Sequence, residues 1–261
     1  MIKLRTLRFD QVGTESARLA NLVVPLDDPE TGTPSDSVLW IRNGGGKTSL
    51  LSLLFSLFLP AQRHFVWTRT EGRTLGDYVL SGDTSLVAAT VDVDGGPVVV
   101  GAYYEWPDRQ RPAEHRRRSS ELRRVWFVFV PDAELTLQTL PRTDEAGRLL
   151  NLRDSVSQLS QLSRQYPALR LSVAQSQTDF ATALGSHGID TGLLEAQLHV
   201  AGQEGGFEKM FTTTSNQGFV DRMVDLLLDE AATDSLSERI SHNAELLRRL
   251  PALELERTFS T

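Results

Sequence analysis

Apolar positions recur every second residue in some stretches of the chain and with a helical spacing in others. Residues 2–12 predict a strand with Ile2, Leu4, Leu7 and Phe9 as its inward set. Leu19–Leu26 predicts a second short strand. The stretch Asp27–Asp36, rich in Asp, Pro, Gly, Thr and Ser, predicts a loop. Val38–Ile41 predicts a short apolar strand and Asn43–Gly46 a Gly-rich turn. Lys47–Leu59 has the length and apolarity of a buried helix, closed by Pro60. Residues 61–84 are polar and irregular. Leu86–Val93 and Val98–Trp106 are rich in Val and aromatic residues and are separated by Asp94-Gly95-Gly96-Pro97, which predicts a hairpin. Val125–Val130 and Glu134–Leu140 predict two more strands of the same antiparallel sheet.

Beyond residue 150 the pattern becomes helical. Leu149–Tyr166 and Asp179–Leu184 predict helices, with a turn at Gly185–Gly192. Phe219–Leu228 places apolar residues at 219, 220, 223, 224, 227 and 228, a helical spacing. Residues 234–261 are charged and space Leu236, Ile240, Leu246, Leu247 and Leu250 as on a helix, which Pro251 interrupts.

The chain has 261 residues, 40% hydrophobic and 23% charged, close to the average of globular proteins. No apolar run reaches the roughly 18 to 20 residues of a membrane span. Met1–Asp10 alternates charged and apolar residues, unlike a secretory signal. Cysteine is absent, which excludes disulfides, thiol catalysis and cysteine metal sites and fits a cytoplasmic protein. The net charge of −7 excludes a uniformly basic nucleic-acid binder but leaves room for a local basic surface. Only three lysines occur among 27 Lys and Arg, which sets Lys47 apart. The five histidines (His64, His115, His187, His199, His242) have no metal-ligand spacing. His187 and His199 read as turn and core-edge residues.

The sharpest signal is Arg42-Asn43-Gly44-Gly45-Gly46-Lys47-Thr48, between a predicted strand and an apolar helix. A phosphate-binding loop needs this arrangement. Small glycines let backbone N–H groups converge on phosphate oxygens, and the helix N-terminus adds partial positive charge. The lysine reaches the β- and γ-phosphates, and the threonine hydroxyl ligates Mg²⁺. The pattern predicts that Asn43, Gly44, Gly45, Gly46, Lys47, Thr48 and Ser49 surround the phosphates of a nucleotide. Ile41 takes the place of the usual first glycine, so the first turn of the loop differs.

Asn43-Gly44-x-Gly46-Lys47-Thr48 resembles the loop of the ABC-type ATPases of chromosome maintenance. The surrounding chain is similar to the N-terminal half of an SMC-family head. In that family an N-terminal strand leads to the phosphate loop, and an antiparallel β-layer, helices, a Q-loop and a coiled coil follow. The resemblance is strongest to the MukB-like branch, which includes the SMC-like subunits of Wadjet-type plasmid defence. There a polar, Gly- and Arg-containing segment follows the first helix, as Arg69–Val79 does here. It implies an α/β fold: an ABC/SMC-type P-loop NTPase lobe over 1–233 with an antiparallel β-layer, and a helical segment at 234–261 leading to a coiled coil.

By the same resemblance Lys47 and Gln203 would serve catalysis. Gln203 lies in His199–Gly206, where the family has its Q-loop, and with Thr48 would approach Mg²⁺. Gln197 and an ordinary Gly-rich connector are the alternatives. Arg69 and Arg73 would sense DNA, with Arg63 a rival and solvated loop arginines the plainer reading. The cluster Arg109, Arg111, Arg116, Arg117, Arg118, Arg123 and Arg124 reads as the exposed tip of a hairpin in preference to a phosphate-contact surface. Implied partners are the C-terminal half of the head, a second copy, kleisin-type subunits and double-stranded DNA, in a cytoplasmic, nucleoid-associated setting without membrane.

An SMC-type ATPase also needs a signature motif, which the chain lacks, and a Walker B Asp-Glu pair. Asp229-Glu230 matches that pair on paper, but the preceding apolar residues have helical spacing. The expectation is therefore an N-terminal piece that binds ATP and depends on a C-terminal half for turnover. Two other readings stand beside it. One is a self-contained P-loop NTPase with Asp229-Glu230 as Walker B and a parallel sheet. The other is an ATP-gated interaction module without turnover.

Overall fold

The hairpin predicted around Asp94–Pro97 forms the centre of the fold. In a computed structural model, residues 2–38, 40–41, 46–59, 74–113 and 121–192 are described. The chain divides at Glu195/Ala196, and all of these residues belong to the first unit. In order they form β1 (Lys3–Asp10), β2 (Val12–Thr14), β3 (Ala17–Leu19), β4 (Leu22–Pro25), α1 (Lys47–Phe58), β5 (Ser85–Val93), β6 (Gly96–Glu105), β7 (Arg123–Phe129), α2 (Leu152–Gln165), β8 (Ser172–Ala174) and α3 (Gln177–Ser186). Single 3-10 turns occupy Leu75–Tyr78, Pro107–Arg109 and Pro167–Leu169.

Six strands make one sheet in the order β4-β1-β5-β6-β7-β8, with β2 and β3 a separate small hairpin. Every pairing among the described strands is antiparallel. The chain is thus a mixed α/β protein built on an antiparallel sheet. The β5–β6 turn is tighter than the Gly-Pro sequence suggests. Val93 already pairs with Gly96, whose φ of +107° only glycine adopts easily.

Both faces of this sheet are covered, so β5, β6 and β7 are apolar on both sides. The register aligns Leu86, Ala88, Val99, Tyr103, Val125, Phe127 and Phe129 on one face. There α2 and the segment 130–150 close over them with Leu135, Leu137, Leu140, Leu152 and Leu159. The other face carries Phe9, Val87, Ala102 and Trp126. α1 lies on it against β5 and β6. α3 lies against β7, where Phe180 stacks on Trp126 with ring centroids 5.8 Å apart.

Among the described residues, Arg8, Asp10, Glu105 and Arg142 are charged groups buried beside the sheet. Asp10 accepts from Arg142 Nε at 2.8 Å and lies 3.5 Å from Arg8. Arg8 in turn donates to the carbonyls of Leu137 and Gln138 at 2.7 and 3.0 Å. Glu105 accepts from the Leu152 amide at 2.9 Å, and so meets the positive end of α2. It also accepts from the Thr84 hydroxyl and lies 3.8 Å from Arg109 Nε.

Several elements differ from the pattern-based expectation. Leu19–Leu26 is no single strand, because the chain turns at Ala20-Asn21 between β3 and β4. A register shift between Leu4 and Thr6 explains how Leu4, Leu7 and Phe9 share a strand without a strict period of two. Glu134–Leu140 forms turns; the carbonyls of Leu137 and Gln138 go to Arg8, although Leu135, Leu137 and Leu140 are buried as expected. Val38, Trp40 and Ile41 are not in a strand, and Val38 and Trp40 are 94% and 95% exposed. β8 and the β2–β3 hairpin have no counterpart in the expectation, being three residues per strand. The predicted helices at Phe219–Leu228 and 234–261 lie outside the described residues.

Two predictions follow from the two-sided core. A Cβ on Gly101 would stand 2.2 Å from the Phe127 ring, while one on Gly95 would meet open space. Gly101→Ala is expected to destabilise the fold by about 1–3 kcal/mol in urea titration. Gly95→Ala should stay within about 0.5 kcal/mol. Burial also pushes the Tyr104 phenol up to about 12, against the opposing effects of its Ser56 hydrogen bond and nearby Arg124. Tyr103 is raised by burial too. The folded state favours the neutral phenol, so its full stability holds below the ordinary phenol value near 10. It is expected to fall as pH rises from there towards about 12, by up to about 1.4 kcal/mol per pH unit for each buried tyrosine. Urea midpoints at successive alkaline pH values measure this.

Candidate functional site

The candidate site is the N-terminal end of α1. Gly46 is the residue that starts the helix, with φ +87° and ψ +21°. That left-handed conformation suits glycine, and a Cβ there would meet nothing within 4 Å. The Gly46 carbonyl accepts the first helical bond, from Leu50 N at 2.9 Å. The other helices neutralise their positive ends with their own sequence. Asn151 caps α2 through the Asp154 amide at 2.8 Å, and Ser176 caps α3 through the Asp179 amide at 3.1 Å. Each also places an Asp in its first turn. α1 has neither device: Gly46 offers no side-chain oxygen and Lys47-Thr48-Ser49 contains no acid. Its first-turn N–H groups and partial positive charge are therefore suited to an anion from outside the helix.

Lys47 is exposed at this end, and its Nζ donates to the Ile41 carbonyl at 2.6 Å. Residue 41 is thereby held beside the helix start. Ile41 stands where a glycine is usual, yet what it contributes is a backbone carbonyl, which any residue supplies. A phosphate oxygen would be a stronger, charge-assisted acceptor for the same ammonium group.

The rear of this turn is fixed by hydroxyls. Ser49 Oγ and Tyr78 Oη lie 3.0 Å apart. Tyr78 is buried at the end of the 3-10 turn Leu75–Tyr78, whose start is closed by a capping box between Thr74 and Asp77. Thus Ser49, predicted among the nucleotide-binding residues, directs its hydroxyl to Tyr78; what it presents at the helix start is its backbone. Sequence reasoning assigned Tyr78 no role. Its one visible signal is an aromatic hydroxyl at the end of an otherwise polar stretch.

The structure brings together Gly46, Lys47, Thr48 and Ser49 in the first turn of α1, with Ile41 alongside. Asn43, Gly44, Gly45 and the side chain of Thr48 lie outside the described residues. So do Arg63, Arg69, Arg73, Arg116, Arg117, Arg118, Gln197, His199, Gln203, Asp229 and Glu230. Among the remaining arginines of the basic cluster, Arg109 donates to the Gly82 carbonyl. Arg111 pairs with Asp77 at 3.6 Å and Glu15 at 3.9 Å. Arg123 and Arg124 belong to β7. Burial lowers the Arg124 pKa. Arg109 and Arg111 thus tie the chain after β6 to neighbouring loops.

His187 is buried at the end of α3, where its two ring nitrogens lie 2.9 and 3.1 Å from the carbonyls of Ala183 and Arg170. It sits in the turn predicted at Gly185–Gly192, where it closes α3. Among the described residues no group of three His, Cys, Asp or Glu side chains is placed to hold a metal ion. No described helix is long and apolar enough to cross a membrane.

Compared with known proteins, the chain matches no family model and no curated protein.

The conformation of Gly46 leads to a prediction. Gly46→Ala meets no steric obstacle, so its cost is the left-handed backbone alone, about 1–2 kcal/mol. The expected outcome is a lowered thermal midpoint.

Proposed function

We propose that this chain is the ATP-binding N-terminal lobe of an SMC-like, DNA-associated ATPase. The observation that carries the reading is the start of α1. A helix N-terminus with no side-chain cap from Gly46 and no acid in its first turn begins at a left-handed glycine within a Gly-rich, Lys-Thr-containing loop, with Lys47 at its mouth. Among the described residues no atom would lie within 4 Å of a Cβ on Gly46, which leaves room there for a phosphate oxygen. Backbone N–H groups of the loop and first turn would hold the phosphates, and Lys47 would exchange the Ile41 carbonyl for a phosphate oxygen. Thr48 and Gln203 are the residues that would hold Mg²⁺, whose contribution is neutralisation of charge on the phosphate oxygens.

Two further observations support the lobe. Every described strand pairing is antiparallel, as in the β-layer of an SMC-type head and unlike the parallel sheet of a self-contained P-loop NTPase. Val38 and Trp40, which the pattern predicts in a strand, stand exposed just before the loop. They suit a strand completed by the C-terminal half of the head. That half would supply Walker B and signature residues. A second copy, kleisin-type subunits and double-stranded DNA would be the other partners, with Arg69 and Arg73 towards DNA. The reaction of the completed machine would be ATP hydrolysis coupled to DNA translocation or tethering, as in chromosome segregation or plasmid defence.

Titration calorimetry with ATP and Mg²⁺ on the 261-residue chain tests this. The expected result is binding that Lys47→Ala abolishes, with no phosphate released over many hours. Binding unaffected by Lys47→Ala would refute the site. Turnover that Lys47→Ala removes would instead favour the self-contained NTPase with Asp229-Glu230 as Walker B.

A further inference from the structure

Ser49, Ser52 and Ser56 lie on one side of α1, three and four residues apart. Ser52 and Ser56 are buried. The first and last of the three meet tyrosine hydroxyls: Ser49 that of Tyr78 at 3.0 Å and Ser56 that of Tyr104 at 3.4 Å. The two contacts are chemically alike, but they differ in position. Tyr104 meets the last turn of α1, far from the loop. Tyr78 meets the first turn, at Ser49, whose backbone N–H is among those an α-helix does not pair within itself.

The support behind Tyr78 is rigid. The Gly76 backbone packs so closely on the Trp106 indole that a Cβ would stand 2.7 Å from it. Trp106 is fully buried and donates to the Val79 carbonyl at 2.9 Å. Asp77 binds the Thr74 amide at 2.7 Å and pairs with Arg111 at 3.6 Å. The 3-10 turn is thus clamped to the end of β6 on both sides of Tyr78.

We infer that Tyr78 is a positioning residue for the first turn of α1, where a nucleotide's phosphates would bind. Its hydroxyl, acting through Ser49, fixes the first turn of α1 against the end of β6, and so aims the N–H groups that would meet the phosphates. The role in nucleotide binding rests on the function proposed above. The mechanical role does not, since it concerns the helix end with or without a ligand.

The test compares Tyr78→Phe with Tyr104→Phe in the whole chain. Each removes one hydroxyl and keeps the ring. Without nucleotide, hydrogen exchange at the Leu50 amide, bonded to Gly46 O, reports the first turn. The Leu59 amide, bonded to Phe55 O, reports the last. Tyr78→Phe is expected to speed Leu50 exchange about three- to tenfold, the weight of one hydrogen bond, and to leave Leu59 unchanged. Tyr104→Phe should leave Leu50 unchanged. Ser49→Ala should reproduce the Leu50 effect and add little to Tyr78→Phe in a double-mutant cycle. ATP affinity should weaken about three- to tenfold in Tyr78→Phe and less than about twofold in Tyr104→Phe. Equal Leu50 exchange in wild type and Tyr78→Phe, or equal effects of the two tyrosine variants, would overturn the positioning role. Faster exchange with unchanged ATP affinity would overturn its link to the nucleotide. A wild-type chain that binds no ATP would refute the nucleotide reading, while the exchange data would still decide the mechanical one.

Discussion

Tyr103 and Tyr104 are neighbours in β6, so the alternation of a strand sends them to opposite faces of a sheet covered on both sides. A buried phenol hydroxyl without a partner costs free energy, and each of these finds its partner in the layer that covers its own face. Tyr103 donates to the Pro141 carbonyl at 2.8 Å, and Tyr104 pairs with Ser56 of α1 at 3.4 Å. One dipeptide therefore sets where both covering layers lie along β6. Apolar contacts alone tolerate sliding, because one Leu or Val surface resembles the next. A hydroxyl with one acceptor in reach does not.

Ionic groups refine the same placement at the seams. Glu105, next in the strand after the tyrosine pair, holds the start of α2 through the Leu152 amide. Asp10 stands between two buried arginines, of which Arg142 comes from the covering segment 130–150 and lies over the Tyr103 ring at 5.9 Å. Buried charges of this kind contribute little net stability, since desolvation offsets their attraction. Their contribution is geometric: the segment 130–150, which has no regular structure of its own, follows a fixed path because its carbonyls and Arg142 have defined partners on β1.

The candidate site uses this frame in a particular way. α1 is held from behind by hydroxyls and leucines, while Gly46 at its N-terminal end has no side chain to cap it. A binding loop placed on a helix that packs on a two-sided sheet inherits the rigidity of the sheet, which lowers the cost of ordering donors around a ligand. The exposed Val38 and Trp40 on the chain leading into that loop are the counterpart: apolar surface that the described sheet leaves uncovered.

Local signals account for what was legible in advance. The β5–β6 hairpin, β7, α1, α2 and α3 follow from short-range periodicity and turn residues. The Gly-Lys-Thr loop follows from a motif whose parts are adjacent in sequence. Elements of three residues, such as β8 and the strands of the β2–β3 hairpin, are too short to show a period. At Leu135, Leu137 and Leu140 the pattern correctly marked burial but not conformation, because Arg8, far away in sequence, takes the carbonyls that a strand partner would need. The chain by itself determined which stretches of β5–β7, α1 and α2 are apolar and where the Gly-Lys-Thr motif lies, since both depend on side-chain type over a few positions. Only the tertiary structure decided what each polar group in that core is bonded to. Tyr78 meets Ser49, Tyr104 meets Ser56 and Asp10 meets Arg142 across 29, 48 and 132 residues, and no local pattern encodes contacts made by folding.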